Sequence, residues 1–231
     1  MLNKDLADLL AAASSSCESK GEKTLLSADK AAAELVLWLG FVNSSQRTGT
    51  ADCLLNATAS AAREGIACAV MGLVRPALNS LRLEIDLTLA WLYFKDHPAE
   101  WARTQKTGEG FKLKTELLRY FSETIDGYSE RFGILLDCKT RKLPDPYRLL
   151  SAHIHGQSEK VLPQVDKLRD IVASAQAQSE FVILQRECSE YINDVFWSIF
   201  AKQWHVIPSS LQKPLVQRFK SPQQRAAFFA A

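Results

Sequence analysis

The chain has 231 residues, a length that fits one large domain or two small ones. Its composition is that of an ordinary globular protein and its net charge is only +2, which excludes a largely disordered chain and a polycation. Five scattered cysteines without metal-ligand spacing are expected to be reduced thiols of a cytoplasmic protein. No secretory signal is evident and no apolar run reaches roughly 18 residues, so we expect a soluble protein without a membrane partner.

Helical periodicity runs through the chain and predicts an all-α fold. Apolar side chains recur every three or four residues in segments that are separated by Gly, Pro or Ser. The connection from residue 14 to residue 24 is predicted to be a polar loop. The predicted helices before the central motif cover residues 3–13, 27–43, 50–74, 76–94, 98–104, 111–121 and 125–138.

The segment from 75 to 94 is the most apolar of these, yet polar residues recur along one of its faces. Arg75, Asn79, Arg82 and Asp86 are spaced i, i+4, i+7 and i+11. Such a stripe is typical of a solvated face or of an ion-pair ladder, and Arg82 is well placed to pair with Asp86. The alternative is that Arg75 and Arg82 face a cleft and supply positive potential for a phosphate group.

Residues 146–155 carry the strongest local helix signals in the chain. Asp145 is suited to the N-cap, Pro146 to the first helical position, and Gly156 to the left-handed position after the last turn. The helix is therefore predicted to begin at 146 and to end at 155.

This short helix brings an arginine and a histidine to one face. Arg148 and His155 are seven residues apart and differ by roughly 20° around the helix axis, with Ser151 between them, whereas His153 is rotated by roughly 140° from Arg148. A guanidinium binds phosphate through paired donors, and an imidazole titrates near neutral pH. The helix dipole at the last turn favours a protonated imidazole, which suits a general acid.

The alternative is a structural role for the same residues. The histidines could bond to the last carbonyls of the helix, and Arg148 could pair with Asp145. Basic residues also precede the helix, and an anionic ligand arriving there would meet Lys139, Arg141 and Lys142.

The longest periodic stretch extends from Pro163 to Trp204 without Gly or Pro between them. One helix of that length would measure roughly 60 Å, which exceeds the need of a small bundle. We therefore expect either a break near residues 177–179 or a protruding end that packs against a second subunit. The predicted domain covers 1–207, and the basic tail of 208–231 is expected to pack on that bundle or on a partner.

The arginine and histidine of the short helix resemble the motif of the HEPN (higher eukaryote and prokaryote nucleotide-binding) superfamily. Four residues separate Arg148 from His153 and six separate it from His155, and Gly156 follows. The resemblance implies an all-α bundle of the HEPN type with a long C-terminal helix, a homodimer with facing motifs, and RNA cleavage without a metal or another cofactor.

Three functions are compatible with this resemblance. The first is an endoribonuclease of the toxin or antiviral-defence kind, regulated by a protein partner such as an antitoxin or a defence complex. Its catalytic residues would be Arg148 and His155, with His153 as the alternate. Its RNA contacts would come from Ser151, Arg75, Arg82 and Lys142. The second is a non-catalytic binding or regulatory subunit, which Leu149 directly after Arg148 favours. The third is a nucleotide-binding accessory domain.

Overall fold

A computed structural model describes residues 2–162 and 164–231 and confirms the all-α prediction. Within these ranges the regular structure is helical and no β-strand occurs. The α-helices are α1 Leu2–Ser16, α2 Glu22–Ser45, α3 Cys53–Val70, α4 Val74–Phe94, α5 Pro98–Thr107, α6 Lys114–Thr124, α7 Tyr128–Asp137, α8 Pro146–His155, α9 Ala175–Phe200, α10 Ser209–Arg218 and α11 Pro222–Ala230.

The connection between α1 and α2 differs from the predicted polar loop. A π-helical turn, Cys17–Gly21, carries the chain from one helix to the next. The Ser16 hydroxyl donates to the carbonyl of Val70 at 3.1 Å, and a Cβ added to the buried Gly21 would lie 3.2 Å from the Val70 side chain. This contact with α3 is distant in sequence, so local polarity predicted the connection wrongly.

The long C-terminal helix is shorter than its periodicity suggests. It begins at Ala175, and Pro163, the predicted start, lies outside the described residues. Before it, a 3-10 turn occupies Leu168–Ile171, and the Ser174 hydroxyl accepts from the Ala177 amide at 3.4 Å. The 26 residues of α9 span only about 39 Å. Excess length therefore no longer argues for a dimer.

The chain forms two compact units, and each is made of three separate stretches. The first unit contains the residues up to Ala33, Ser60–Glu84 and Asp145–Cys188. The second contains Glu34–Ala59, Ile85–Pro144 and Ser189–Ala231. The helix α8 with its arginine and histidines thus belongs to the first unit.

The core of the first unit is apolar but also contains the buried carboxyl groups of Glu84 and Glu187. Phe181 and Cys188 of α9 are fully buried, as is Leu81 of α4. Glu84 is also inaccessible to solvent, and its Oε2 accepts from the Gln185 side chain at 2.9 Å. Burial raises the pKa of Glu84 to about 8, although the hydrogen bond from Gln185 opposes this shift.

Aromatic side chains dominate the core of the second unit. The ring of Trp38 from α2 stacks on Phe196 with a centroid distance of 5.1 Å and meets Trp197 edge-on at 4.8 Å. All three side chains are fully buried. Rings of this size bury large areas, and their edge-to-face contacts add to the stability of the core.

A buried ionic cluster lies in the same unit. Asp194 of α9 has no solvent-exposed surface, and its two oxygens accept from the guanidinium groups of Arg141 and Arg218. Glu190, one turn earlier, accepts from the Thr140 amide at 2.7 Å and lies 3.6 Å from Arg218. The cluster joins α9 to the segment before α8 and to the end of α10.

The C-terminal residues 208–231 belong to the second unit as two helices, α10 and α11. Leu211, Leu215 and Phe228 are fully buried there, and the ring of Phe229 meets Trp204 edge-on at 4.8 Å. Arg218 contributes to the buried ionic cluster. At least one of the basic residues of this segment is therefore engaged inside the unit.

None of the helices in the described ranges combines the length and the apolar character that crossing a membrane would require.

Candidate functional site

The helix that carries the motif has the bounds predicted from its sequence. The carboxylate of Asp145 accepts from the Tyr147 amide at 3.1 Å, Pro146 occupies the first turn, and Gly156 has a φ of 58° in the left-handed region. These groups satisfy the ends of the helix locally. The prediction of a helix over 146–155 is confirmed.

The outer face of α8 presents the arginine and one histidine to solvent. Arg148 and His155 are exposed, and Ser151, one turn from each, is half-buried. Within residues 2–162 and 164–231, Arg148 has neither an ion-pair nor a hydrogen-bond partner, so the pair with Asp145 that we considered does not form. Its guanidinium is available to a ligand.

Arg82 of α4 reaches the histidine on this face. Its Nη1 lies 3.3 Å from Nε2 of His155, and its guanidinium carbon lies 4.9 Å from the centre of the Tyr147 ring. A guanidinium can only donate, so Nε2 of His155 is the acceptor in this contact. Two arginines and an imidazole therefore belong to one surface of the first unit.

Tyr147 was not among the residues predicted for the site. It supplies the ring over which the Arg82 guanidinium lies, an arrangement stabilised by the negative face of the ring. The signal in the sequence was an aromatic residue directly before Arg148. It could not be interpreted without knowing that α4 packs against α8 at that point.

The second histidine lies elsewhere. The side chain of His153 is half-buried and lines a cavity of the first unit, together with Arg75 and several apolar side chains. Burial lowers the pKa of His153, and the positive charge of Arg75 lowers it further. Arg148 and His155 thus share a surface that His153 does not join.

Arg75 was predicted to contact a phosphate, and the structure shows two of its donors in use. Its Nη2 donates to the carbonyl of His153 at 2.7 Å, and its Nη1 donates to the carbonyl of Val161 at 3.1 Å. These bonds connect the start of α4 to the end of α8 and to the turn Glu159–Val161.

Replacing Arg75 with methionine is expected to lower the free energy of unfolding by about 2 kcal/mol, because two carbonyls lose a charged donor. Urea unfolding followed by circular dichroism measures this change. Arg169→Met is the matched control, since Arg169 is exposed and, among the residues that the structure describes, pairs only with the neighbouring Asp170 at 3.6 Å. Equal stability of the two variants would contradict a structural role for Arg75.

Two of the basic residues before α8, Arg141 and Lys142, differ in their accessibility to a ligand. Lys142 is exposed and belongs to the second unit, whereas the other six predicted site residues belong to the first. Arg141 is not available to a ligand, because it is buried against Asp194. The expected basic approach is therefore smaller than its sequence suggests.

Among the residues that the structure describes, no group of three or more His, Cys, Asp or Glu side chains is arranged to hold a metal ion. The sequence matches no protein-family model, and comparisons with curated proteins and with solved structures give no match either.

Proposed function

We propose that this chain is a metal-independent endoribonuclease that works from the outer face of α8. The observation that carries this assignment is the exposed Arg148 on the same face as His155, which Arg82 contacts at 3.3 Å. Two guanidinium groups provide paired donors for the oxygens of a scissile phosphate. A neutral imidazole beside them can take a proton from a ribose hydroxyl.

The reaction that suits these groups is RNA cleavage in which the nucleophile is the 2′-hydroxyl of the substrate. The ribose 2′-oxygen attacks the adjacent phosphorus while His155 accepts the 2′-hydroxyl proton, and the bond between phosphorus and the 5′-oxygen breaks. The products are a 2′,3′-cyclic phosphate and a 5′-hydroxyl. Arg148 stabilises the negative charge that develops on the phosphate oxygens, and Arg82 moves from His155 to the phosphate.

The leaving 5′-oxygen needs a proton, and a second copy of His155 is the proposed donor. A homodimer with facing α8 helices would bring one neutral and one protonated imidazole to the same phosphate. Light scattering at micromolar concentration should then give twice the mass of the chain. A monomer that still cleaves RNA would remove the second copy from the mechanism and leave water as the acid.

The decisive experiment incubates the purified protein with labelled RNA in the presence of a chelator. Arg148→Ala and His155→Ala are each expected to reduce cleavage by at least about 100-fold, because each removes a group that acts on the reacting atoms. Arg169→Ala and His205→Ala are the matched controls, since both residues are exposed and neither lies on α8. They should cleave like the original chain.

Two results would overturn the assignment. The first is that both α8 variants still cleave RNA. The second is that the original chain binds RNA without cleaving it, and that both α8 variants bind RNA with the same affinity. The second result would instead support a non-catalytic binding subunit, to which the exposed Leu149 beside Arg148 would offer an apolar contact. Saturable nucleotide binding without RNA turnover would point to the nucleotide-binding alternative.

The cellular setting that fits such an enzyme is a cytoplasmic toxin or antiviral-defence effector. An RNA-cleaving chain of this kind would require restraint by a protein partner until it is activated. Expression in bacteria should therefore slow growth, and His155→Ala should relieve that effect. Normal growth with the active chain at high expression would argue against a toxin role.

A further inference from the structure

The first unit contains a large cavity that the proposed nuclease site does not use. Its volume is about 880 Å³, within the range of roughly 300–1,000 Å³ that is common for small-molecule sites. One side is formed by the α9 residues Ala177, Phe181 and Leu184, which follow one another at helical spacing. Other lining residues come from α4, such as Arg75, and from the segment between α8 and α9, such as Leu162 and Ile171.

The apolar side chains of that segment are incompletely covered. Leu162, Val165, Leu168 and Ile171 line the cavity, and 40–47% of the surface of each remains exposed. Burying such side chains contributes about 25 cal/mol for every Å² of apolar surface removed from water. Four of them around one cavity therefore provide a favourable surface for an apolar ligand.

The cavity also contains donors that determine what such a ligand must carry. Arg75 lines it, and two of its five N–H groups donate to carbonyls, while the other three have no partner within the described ranges. The half-buried His153 lines it as well and bonds to no other side chain in the described ranges. Its lowered pKa keeps the imidazole neutral at pH 7, so it can donate one hydrogen bond.

The acidic residues around the cavity limit the charge of the ligand. Asp166 and Glu180 are exposed and Asp5 is half-buried, and all three line the cavity with Arg75 and Lys167. Negative charge at several positions of a ligand would be repelled by these carboxylates. One oxygen-bearing group, placed at Arg75 and His153, is compatible with the lining.

We propose that this cavity binds an amphipathic molecule of the fatty-acyl class, with one apolar chain and a single carboxylate or ester head. The chain lies against Ala177 and Leu184 of α9 and against the exposed side chains of Leu162, Val165, Leu168 and Ile171. The head group accepts hydrogen bonds from Arg75 and His153. A free fatty acid and an acylglycerol share this chemistry, so the two sources are separated by experiment.

The binding test uses isothermal titration calorimetry with laurate, monolaurin and dodecylamine, each below the concentration at which it aggregates. Saturable binding of laurate is expected if the natural ligand is a free fatty acid. Saturable binding of monolaurin is expected if the natural ligand is an acylglycerol. Dodecylamine should bind at least about tenfold more weakly, because its ammonium group cannot accept from Arg75. Binding of none of the three, or tightest binding of dodecylamine, would overturn the assignment.

Variants locate the ligand. Ala177→Phe fills the cavity and should abolish binding, whereas Gln176→Phe adds the same ring at an exposed neighbour that does not line the cavity, and should bind normally. His153→Leu replaces the imidazole with an apolar side chain of similar size and removes its N–H donor, and should weaken binding about tenfold. Circular dichroism establishes that each variant is folded. Unchanged binding in folded Ala177→Phe would contradict this site.

Binding of the same ligands also tests whether the cavity is independent of the proposed nuclease site. His155→Ala is expected to bind laurate or monolaurin like the original chain, since His155 does not line the cavity. Hydrogen exchange of the amides in residues 164–174 should slow when the ligand is present, because this segment borders the cavity. Loss of ligand binding in His155→Ala, or unchanged exchange at saturating ligand, would overturn the location.

Discussion

Asp194→Ala is expected to destabilise the protein by about 3–5 kcal/mol, a loss large enough to prevent folding of a marginally stable domain. The reason is that Asp194 is fully buried and accepts from Arg141 and Arg218 at once. Removing the carboxylate leaves two guanidinium groups in a low-dielectric environment with only Glu190, 3.5 Å from Arg141 and 3.6 Å from Arg218, as a counter-charge within the cluster. Arg141 is itself almost fully buried, so water cannot replace the lost partner.

Urea unfolding monitored by tryptophan fluorescence measures this loss, because Trp197 lies one turn of α9 from Asp194 and is buried. Asp194→Asn keeps the shape and tests the charge alone, and it should also unfold at lower urea. Asp126→Ala is the control, since Asp126 pairs with Lys202 on the surface and its loss should leave the midpoint unchanged. An unchanged midpoint in both Asp194 variants would show that the cluster contributes little.

Glu84→Gln is expected to act in the opposite direction and to stabilise the protein at neutral pH. Folding raises the pKa of Glu84 from an ordinary value of 4.5 to about 8, because the carboxyl is buried. Between these values the folded state binds more protons than the unfolded state, so stability falls as pH rises through this window. At pH 7 Glu84 lowers the free energy of unfolding by about 3 kcal/mol, because each pH unit above 4.5 contributes about 1.36 kcal/mol.

Glutamine removes this cost and retains the contact, since its amide oxygen can accept the hydrogen bond that Gln185 donates to Glu84. Urea midpoints measured from pH 4 to pH 9 should converge for the two proteins at the acidic end. They should separate progressively up to about pH 8, with Glu84→Gln the more stable. Parallel pH profiles would mean that Glu84 does not titrate differently in the folded state.

Local sequence was sufficient to predict the ends of a helix where the capping residues are adjacent to it in the chain. Asp145, Pro146 and Gly156 fixed the ends of α8, because capping bonds involve residues only a few positions apart. Where the competing contact came from far along the chain, the same kind of reasoning was wrong. The turn Cys17–Gly21, predicted to be part of a polar loop, is instead helical and packs against α3.

In the candidate site, too, some features follow from local sequence and others depend on the packing of distant segments. The seven-residue spacing that joins Arg148 to His155 on one face of α8 is a property of helix geometry, and sequence alone could predict it. The contact between Arg82 and His155, by contrast, depends on how α4 packs against α8. The same packing uses two donors of Arg75 for carbonyls and places His153 at the cavity.

The sequence by itself determined that this protein is helical, where α8 begins and ends, and which of its side chains share a face. These properties follow from hydrogen bonds and spacings within one or two turns. Only the tertiary structure decided that Arg141 is buried against Asp194, that α9 begins at Ala175, and that a cavity lies beside His153. The physical reason is that burial and ion pairing depend on residues that are distant in the chain and meet only when it packs.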